Sequence, residues 1–136
     1  MPTAGAVSSL MRREIDRFIA AARERSEFDI DTRRRSMRRY YRSWPLLVST
    51  FRADGEISAA LHSASANGIG FLCPRQFPVG RIVLVKLFWH EEAGLRVPAI
   101  VRHASPYRDT ILVGCEFALD DEAACQAGLA CRRWYG

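Results

Sequence analysis

The chain has 136 residues, 49% of them hydrophobic, enough for one core and too few for several domains. Twenty Lys and Arg against fifteen Asp and Glu leave a formal net charge of +5, and the excess is local, because six arginines fall within residues 33–42. No run approaches the roughly 20 apolar residues of a membrane-spanning helix, and no apolar core follows the first charges as in a secretory leader, so a cytoplasmic, reducing location is expected.

Residues 1–7 are small and featureless and are expected to fray. Ser8 or Ser9 is placed to cap a helix, its hydroxyl accepting from an amide of the first turn. Met11, Ile15, Phe18, Ile19 and Ala22 then recur at helical spacing, which predicts a helix from about Leu10 to Arg25. That stripe must dock on the domain or on a partner chain. Ser26 to Thr32 reads as a polar connector, and the chain divides into a helix-plus-connector at 1–32 and a domain at 33–136.

From Leu46 the hydrophobic period changes to two. Strands are predicted at Leu46–Ala53, Glu56–Ser63, Ile69–Cys73, Arg81–Trp89, Leu95–Ala104 and Thr110–Phe117. Asp54-Gly55 suits a hairpin. The polar run Ser63–Gly68, Pro78-Val79-Gly80 and Ser105-Pro106 read as turns. Val83, Val85, Leu87 and Trp89 alternate toward one face. Pro98 cannot donate to a ladder and marks an edge or a bulge. Asp120 is placed to cap a C-terminal helix running to about Arg133, in which Gly128 costs roughly 1 kcal/mol against alanine. The fold is therefore mainly β: about six antiparallel strands with helices at the two ends. Such strands bury their apolar faces by closing into a small barrel or sandwich.

Few chemistries fit the remaining residues. The cysteines at 73, 115, 125 and 131 form no C-x-x-C pair and have no His pair beside them, so no zinc site is expected. Cys73 and Cys115 lie in apolar strands and read as buried thiols. His62, His90 and His103 are scattered and lack the nucleophile and orienting partner of an active site. His62 neighbours Ser63, but strand neighbours point to opposite faces, and His103 reads as a strand-end surface residue. A non-enzymatic protein is expected. The arginine run has two readings. One is a solvated connector. The other is an anion receptor, since guanidinium presents a planar fork of donors to phosphate or to the guanine O6/N7 edge.

Two segments together favour the second reading. Arg33-Arg34-Arg35-Ser36-Met37-Arg38 stands just before the first strand. Ser63-Ala64-Ser65-Ala66-Asn67-Gly68 stands between the second and third strands. Their order and spacing resemble the R-R-R-x-x-R and D/N-x-S-x-x-G signatures of PilZ domains. Gly80-Arg81-Ile82-Val83-Leu84, Val101-Arg102 and Gly114-Cys115-Glu116-Phe117 resemble further landmarks of that family, so the resemblance covers about residues 33–120.

The resemblance implies a six-stranded, PilZ-like split barrel in the bacterial cytoplasm and a receptor for the second messenger cyclic di-GMP, with no other cofactor. It assigns phosphate and guanine contacts to Arg34 and Arg38, assisted by Arg33 or Arg35. Arg38 and Arg42 also satisfy R-x-x-x-R. It assigns a phosphate or guanine contact to Ser65, a close backbone approach to Gly68, and the turn's acid-or-amide position to Ser63. Serine there is a departure from the pattern. A lost charge-assisted hydrogen bond is worth roughly 1.5–3 kcal/mol, so a degenerate, nucleotide-free interaction module is the alternative. Tyr40 and Tyr41 beside Arg39 and Arg42 fit single-stranded nucleic acid only loosely. A protein partner or homodimer through the N-terminal helix or the segment Cys131–Tyr135 is the third reading.

Overall fold

Alternating apolar residues build six strands, and two amphipathic stripes build two helices. The computed structural model describes residues 4–29, 44–50, 55–91 and 94–135. Within them lie α1 (Ala4–Asp29), β1 (Pro45–Thr50), β2 (Ile57–Ala64), β3 (Gly68–Cys73), β4 (Ile82–Lys86), β5 (Arg96–Tyr107), β6 (Thr110–Phe117) and α2 (Glu122–Tyr135). The strands pair antiparallel in the order β1-β2-β3-β6-β5-β4, and β4 returns to β1, so the sheet is a closed barrel. Its interior is filled by Leu46, Val48, Leu61, Phe71, Val83, Val85, Val97, Val101 and Val113, each at most 2% exposed. Phe77, from the β3–β4 loop, joins the same core.

Register sorts the connections between the two barrel ends. Pro45 pairs with Ala60, Leu47 with Lys86, and Gly68 with Glu116. Trp44, the β2–β3 turn and the β4–β5 connection therefore share one end. The β3–β4 loop and the β5–β6 hairpin lie at the other.

Helix α1 packs at the first end. Its stripe Val7, Met11, Ile15, Phe18 and Ala22 is buried in the same core as the strands. The Phe18 ring meets Trp44 edge-on at 5.3 Å and Phe88 at 6.2 Å, and the Trp44 indole donates to the Leu87 carbonyl at 2.8 Å. Arg17 lies 3.7 Å over the Phe88 ring and forks onto both Glu91 carboxylate oxygens at 2.8 and 2.9 Å. That hydrogen-bonded guanidinium lowers the Glu91 carboxyl below its ordinary range, against a smaller opposing effect of burial.

Several expectations need correction. The first helix begins at Ala4 and runs to Asp29, rather than spanning Leu10 to Arg25. Val7, at 1% exposure, extends the apolar stripe by one turn, and residues 26–29 contain neither Gly nor Pro to stop the helix. Trp89 does not continue the inward face of β4. The strand ends at Lys86, and Trp89 is 46% exposed. Asp121, not Asp120, caps α2, its Oδ1 accepting from the Ala124 amide at 3.0 Å.

Ser105-Pro106 is not a turn. The strand continues to Tyr107, which pairs with Thr110 across a two-residue loop where Arg108 takes φ 57°. The Tyr107–Thr110 pair closes the hairpin, so the next pair, Pro106–Ile111, is one whose amides point away from the partner strand. The missing N–H of Pro106 is not needed there. Pro98 occupies neither an edge strand nor a bulge. Its carbonyl accepts from the Ala118 amide just past the end of β6, and the Ala118 carbonyl that its nitrogen faces accepts instead from the Asp121 amide at 3.4 Å, so no partner is left waiting for the missing N–H.

Gly128 also gains a reason. A Cβ there would run into the Arg96 carbonyl oxygen and lie 3.2 Å from Met11 Cε. Its cost to helix propensity permits α1, α2 and β5 to meet at one point.

Candidate functional site

The turn between β2 and β3 is held by a serine. Ser65 Oγ accepts from the amides of Asn67 at 3.2 Å and Gly68 at 3.3 Å, while its own amide donates to the Gly68 carbonyl at 2.9 Å. A hydroxyl on a short stem suits this, reaching amides two and three residues ahead without leaving the turn. The hydroxyl's own hydrogen remains a donor. Two neighbours clamp the turn from outside. Phe117 donates its amide to the Asn67 carbonyl at 2.9 Å, and Arg12 of α1 donates to the Ala66 carbonyl at 2.8 Å. Gly68 has a structural duty, since a Cβ there would collide with the Cys115 carbonyl oxygen and push β3 off β6.

This turn forms one margin of an open pocket of about 660 Å³ on the outer face of β2, β3, β6 and β5. The register explains its shape. Ser63 pairs with Gly70, Gly70 with Gly114, and Gly114 with His103, so one row crosses four strands with two glycines at its centre. Their inward-facing neighbours Leu61, Phe71, Val113 and Val101 are core. The two flanking strands each carry a bulge at this level, between Leu61 and Ser63 and between Val101 and His103. Bulges re-aim side chains.

Arg102 and Glu116 also line the pocket, joined by bonds of 2.9 and 2.6 Å from Nε and Nη2 to the same carboxylate oxygen. They compensate each other's charge. His62 meets Tyr107 edge-on at 5.5 Å.

The structure brings Ser63, Ser65 and Gly68 to this one pocket. Arg33, Arg34 and Arg38, with Arg35 and Arg42, lie outside the described residues. Two expectations change. His62 and Ser63 do not diverge to opposite faces: the bulge interrupts alternation, and both line the pocket. His103 is no strand-end residue; it stands mid-strand in β5, its ring over Gly114. Gly70, Gly114 and His103 went unnoticed as site residues in the sequence because only the strand register places them side by side. Cys115 borders the pocket but is largely buried, which pushes its thiol up to about 12. Cys73 and Cys125 are likewise buried, free and raised by burial.

A model of the PilZ domain family matches residues 32–130. The chain belongs to the PilZ domain family. The match spans every strand of the PilZ barrel and the signature turn. No curated protein matches. Six chains among solved structures do, and they include one described as the structure of K. pneumonia MrkH in its apo state. That chain is 12% identical with a TM-score of 0.42, over 71% of this chain and 48% of that one. The PilZ chain thus spans about half the length of that protein. No helix among the described residues is long and apolar enough to cross a membrane.

Proposed function

We propose that this PilZ chain is a non-enzymatic, cytoplasmic receptor for cyclic di-GMP in bacterial second-messenger signalling. The ligand sits against the pocket margin formed by Ser63, Ser65 and Gly68, and Arg33, Arg34 and Arg38 close over it. The observation that carries this reading is the route of the chain out of the arginine segment. The Trp44 carbonyl accepts from the Leu61 amide at 3.0 Å, one residue before His62 and two before Ser63, so the chain joins the barrel beside the pocket's own strand. Arg38 is six residues upstream of Trp44, and six residues reach up to about 20 Å. The signature turn is therefore within range.

Charge supports the same division of labour. The Arg102–Glu116 pair is self-compensating, so among the described pocket residues that pair leaves little surplus for two phosphates. The arginine segment holds six guanidiniums, each suited to phosphate and to the guanine edge. Ordering that segment over the pocket is the switch, and no other cofactor is required.

Serine at position 63, where the family pattern has an acid or amide, favours a second reading: a PilZ barrel that binds no nucleotide and acts through protein contacts. One experiment separates the two. The full chain is titrated calorimetrically with cyclic di-GMP, GTP and a single-stranded oligonucleotide at two salt concentrations. The receptor reading expects saturable binding of cyclic di-GMP with modest salt dependence. Absence of heat with cyclic di-GMP selects the second reading, and a preference for the oligonucleotide that collapses with salt refutes both.

A further inference from the structure

Away from the signature turn, buried charge gathers where β4 ends and β5 begins. Lys86 and Arg96 are 7% and 4% exposed, and they are direct partners across the β4–β5 ladder. Residues so paired stand on one face of the sheet, and like charges set opposite each other are unfavourable. Arg96 Nη2 bonds Glu56 at 2.6 Å. Its Nη1 is buried with no hydrogen-bond partner among the described residues. Glu91, the other acid close by, forks onto Arg17 instead, and Lys86 acts on it more weakly than Arg17 or His90 does. Two buried cations therefore have one carboxylate of their own, Glu56, among the described residues.

Buried charges in proteins are paired, because a lone one gives up its hydration for nothing. A second anion has a place to sit here. Lys86, Arg96, Glu56, Glu91, Trp89 and His90 line an open cavity of about 510 Å³, which shares no residue with the pocket at the signature turn. A water molecule accepting from Arg96 Nη1 would leave the charge unanswered. An oxyanion answers it, and the Lys86 ammonium brings up to three donors to the same group. We propose that this cavity is a second binding site, for a small oxyanion such as a carboxylate or phosphate group, held by Lys86 and by the uncompensated charge of Arg96. Trp89, on the connection that follows β4 and 46% exposed, borders the same cavity and reports on its occupation. The site is independent of the receptor reading above.

The test titrates the full chain with inorganic phosphate and, separately, with acetate at constant ionic strength. The Trp89 indole N–H resonance, assigned with Trp89→Phe, is followed by NMR. The proposal expects that resonance to move saturably with at least one of the two anions, and which one moves it tells phosphate from carboxylate. Lys86→Met keeps the stem and removes the ammonium, and it should weaken the anion about tenfold or more, as for loss of one charge-assisted contact. Glu56→Gln removes the carboxylate that competes for Arg96 and should tighten the anion; this variant carries the test if Lys86→Met does not fold. Arg38→Ala should leave the Trp89 response as it is, which separates the cavity from anion captured by the arginine segment. No saturable movement with either anion overturns the proposal. So does a response unchanged in a folded Lys86→Met, a weaker anion in Glu56→Gln, or a response that Arg38→Ala abolishes.

Discussion

Replacing Phe18 by alanine tests whether α1 is structurally part of the barrel. Phe18 is fully buried and touches Trp44 and Phe88 edge-on at 5.3 and 6.2 Å. Truncating a buried phenylalanine costs about 3–5 kcal/mol, through lost transfer energy and the cavity left behind. Alanine returns a few tenths of a kcal/mol, up to about 0.7, as the better helix former, so a net loss of about 3–4 kcal/mol is expected. A chain of 136 residues lies between the size classes in which 1 kcal/mol shifts the melting temperature by about 2–4 and 4–8 °C, so a fall of roughly 10–15 °C is expected. Urea titration followed by tryptophan fluorescence should show the midpoint falling with an unchanged slope. The opposite sign is informative. Were α1 an undocked appendage, the substitution would change nothing or raise stability slightly, and a shift below about 0.5 kcal/mol would refute the packing described here.

Gly128→Ala should destabilise the protein by about 1–3 kcal/mol, as overpacking does, although helix propensity alone predicts a gain of about 1 kcal/mol; a rise in melting temperature would mean that α2 does not press on Arg96. Arg34→Ala and Arg38→Ala should each abolish calorimetric binding of cyclic di-GMP with little change in melting temperature, and wild-type affinity would remove them from the site. Ser63→Asp should tighten cyclic di-GMP by roughly one to two decades; no gain would mean that this position does not meet the ligand. Burial raises the Cys115 thiol to about 12, so the folded state holds a proton that the unfolded chain releases above about pH 8.5. The Cys115 contribution to stability is whole below that pH and declines as pH rises toward 12. Iodoacetamide at pH 8.5 should therefore label Cys115 far more slowly in native than in urea-unfolded protein, and equal rates would contradict its burial.

Much of the barrel is legible in the sequence because a half-buried strand must alternate. The inward sets Val83-Val85-Leu87 and Leu95-Val97-Ala99-Val101 are visible as such and are buried. What fails is local and has local causes. Pro106 is read as a turn because a lost amide is assumed to matter, yet pairing leaves that amide without a strand to meet. Polar residues 26–29 are read as a connector, although polarity without Gly or Pro does not end a helix. The turn at 63–68 is readable because its parts are adjacent in sequence. The floor of the pocket is not, because Gly70, Gly114 and His103 become neighbours only through the β3–β6 and β5–β6 registers, the latter shifted by a bulge. No periodicity in a single strand reports that.

Closure of the sheet also bears on how a message leaves the molecule. β1 hydrogen-bonds to β2 on one side and to β4 on the other, so among the described strands none offers an open backbone to be continued by another polypeptide. Strand addition, a common way for sheets to recruit peptides, has nowhere to start. Any protein partner would instead have to recognise side chains, and the bond from Arg12 to the Ala66 carbonyl puts helix α1 in direct touch with the turn that borders the pocket.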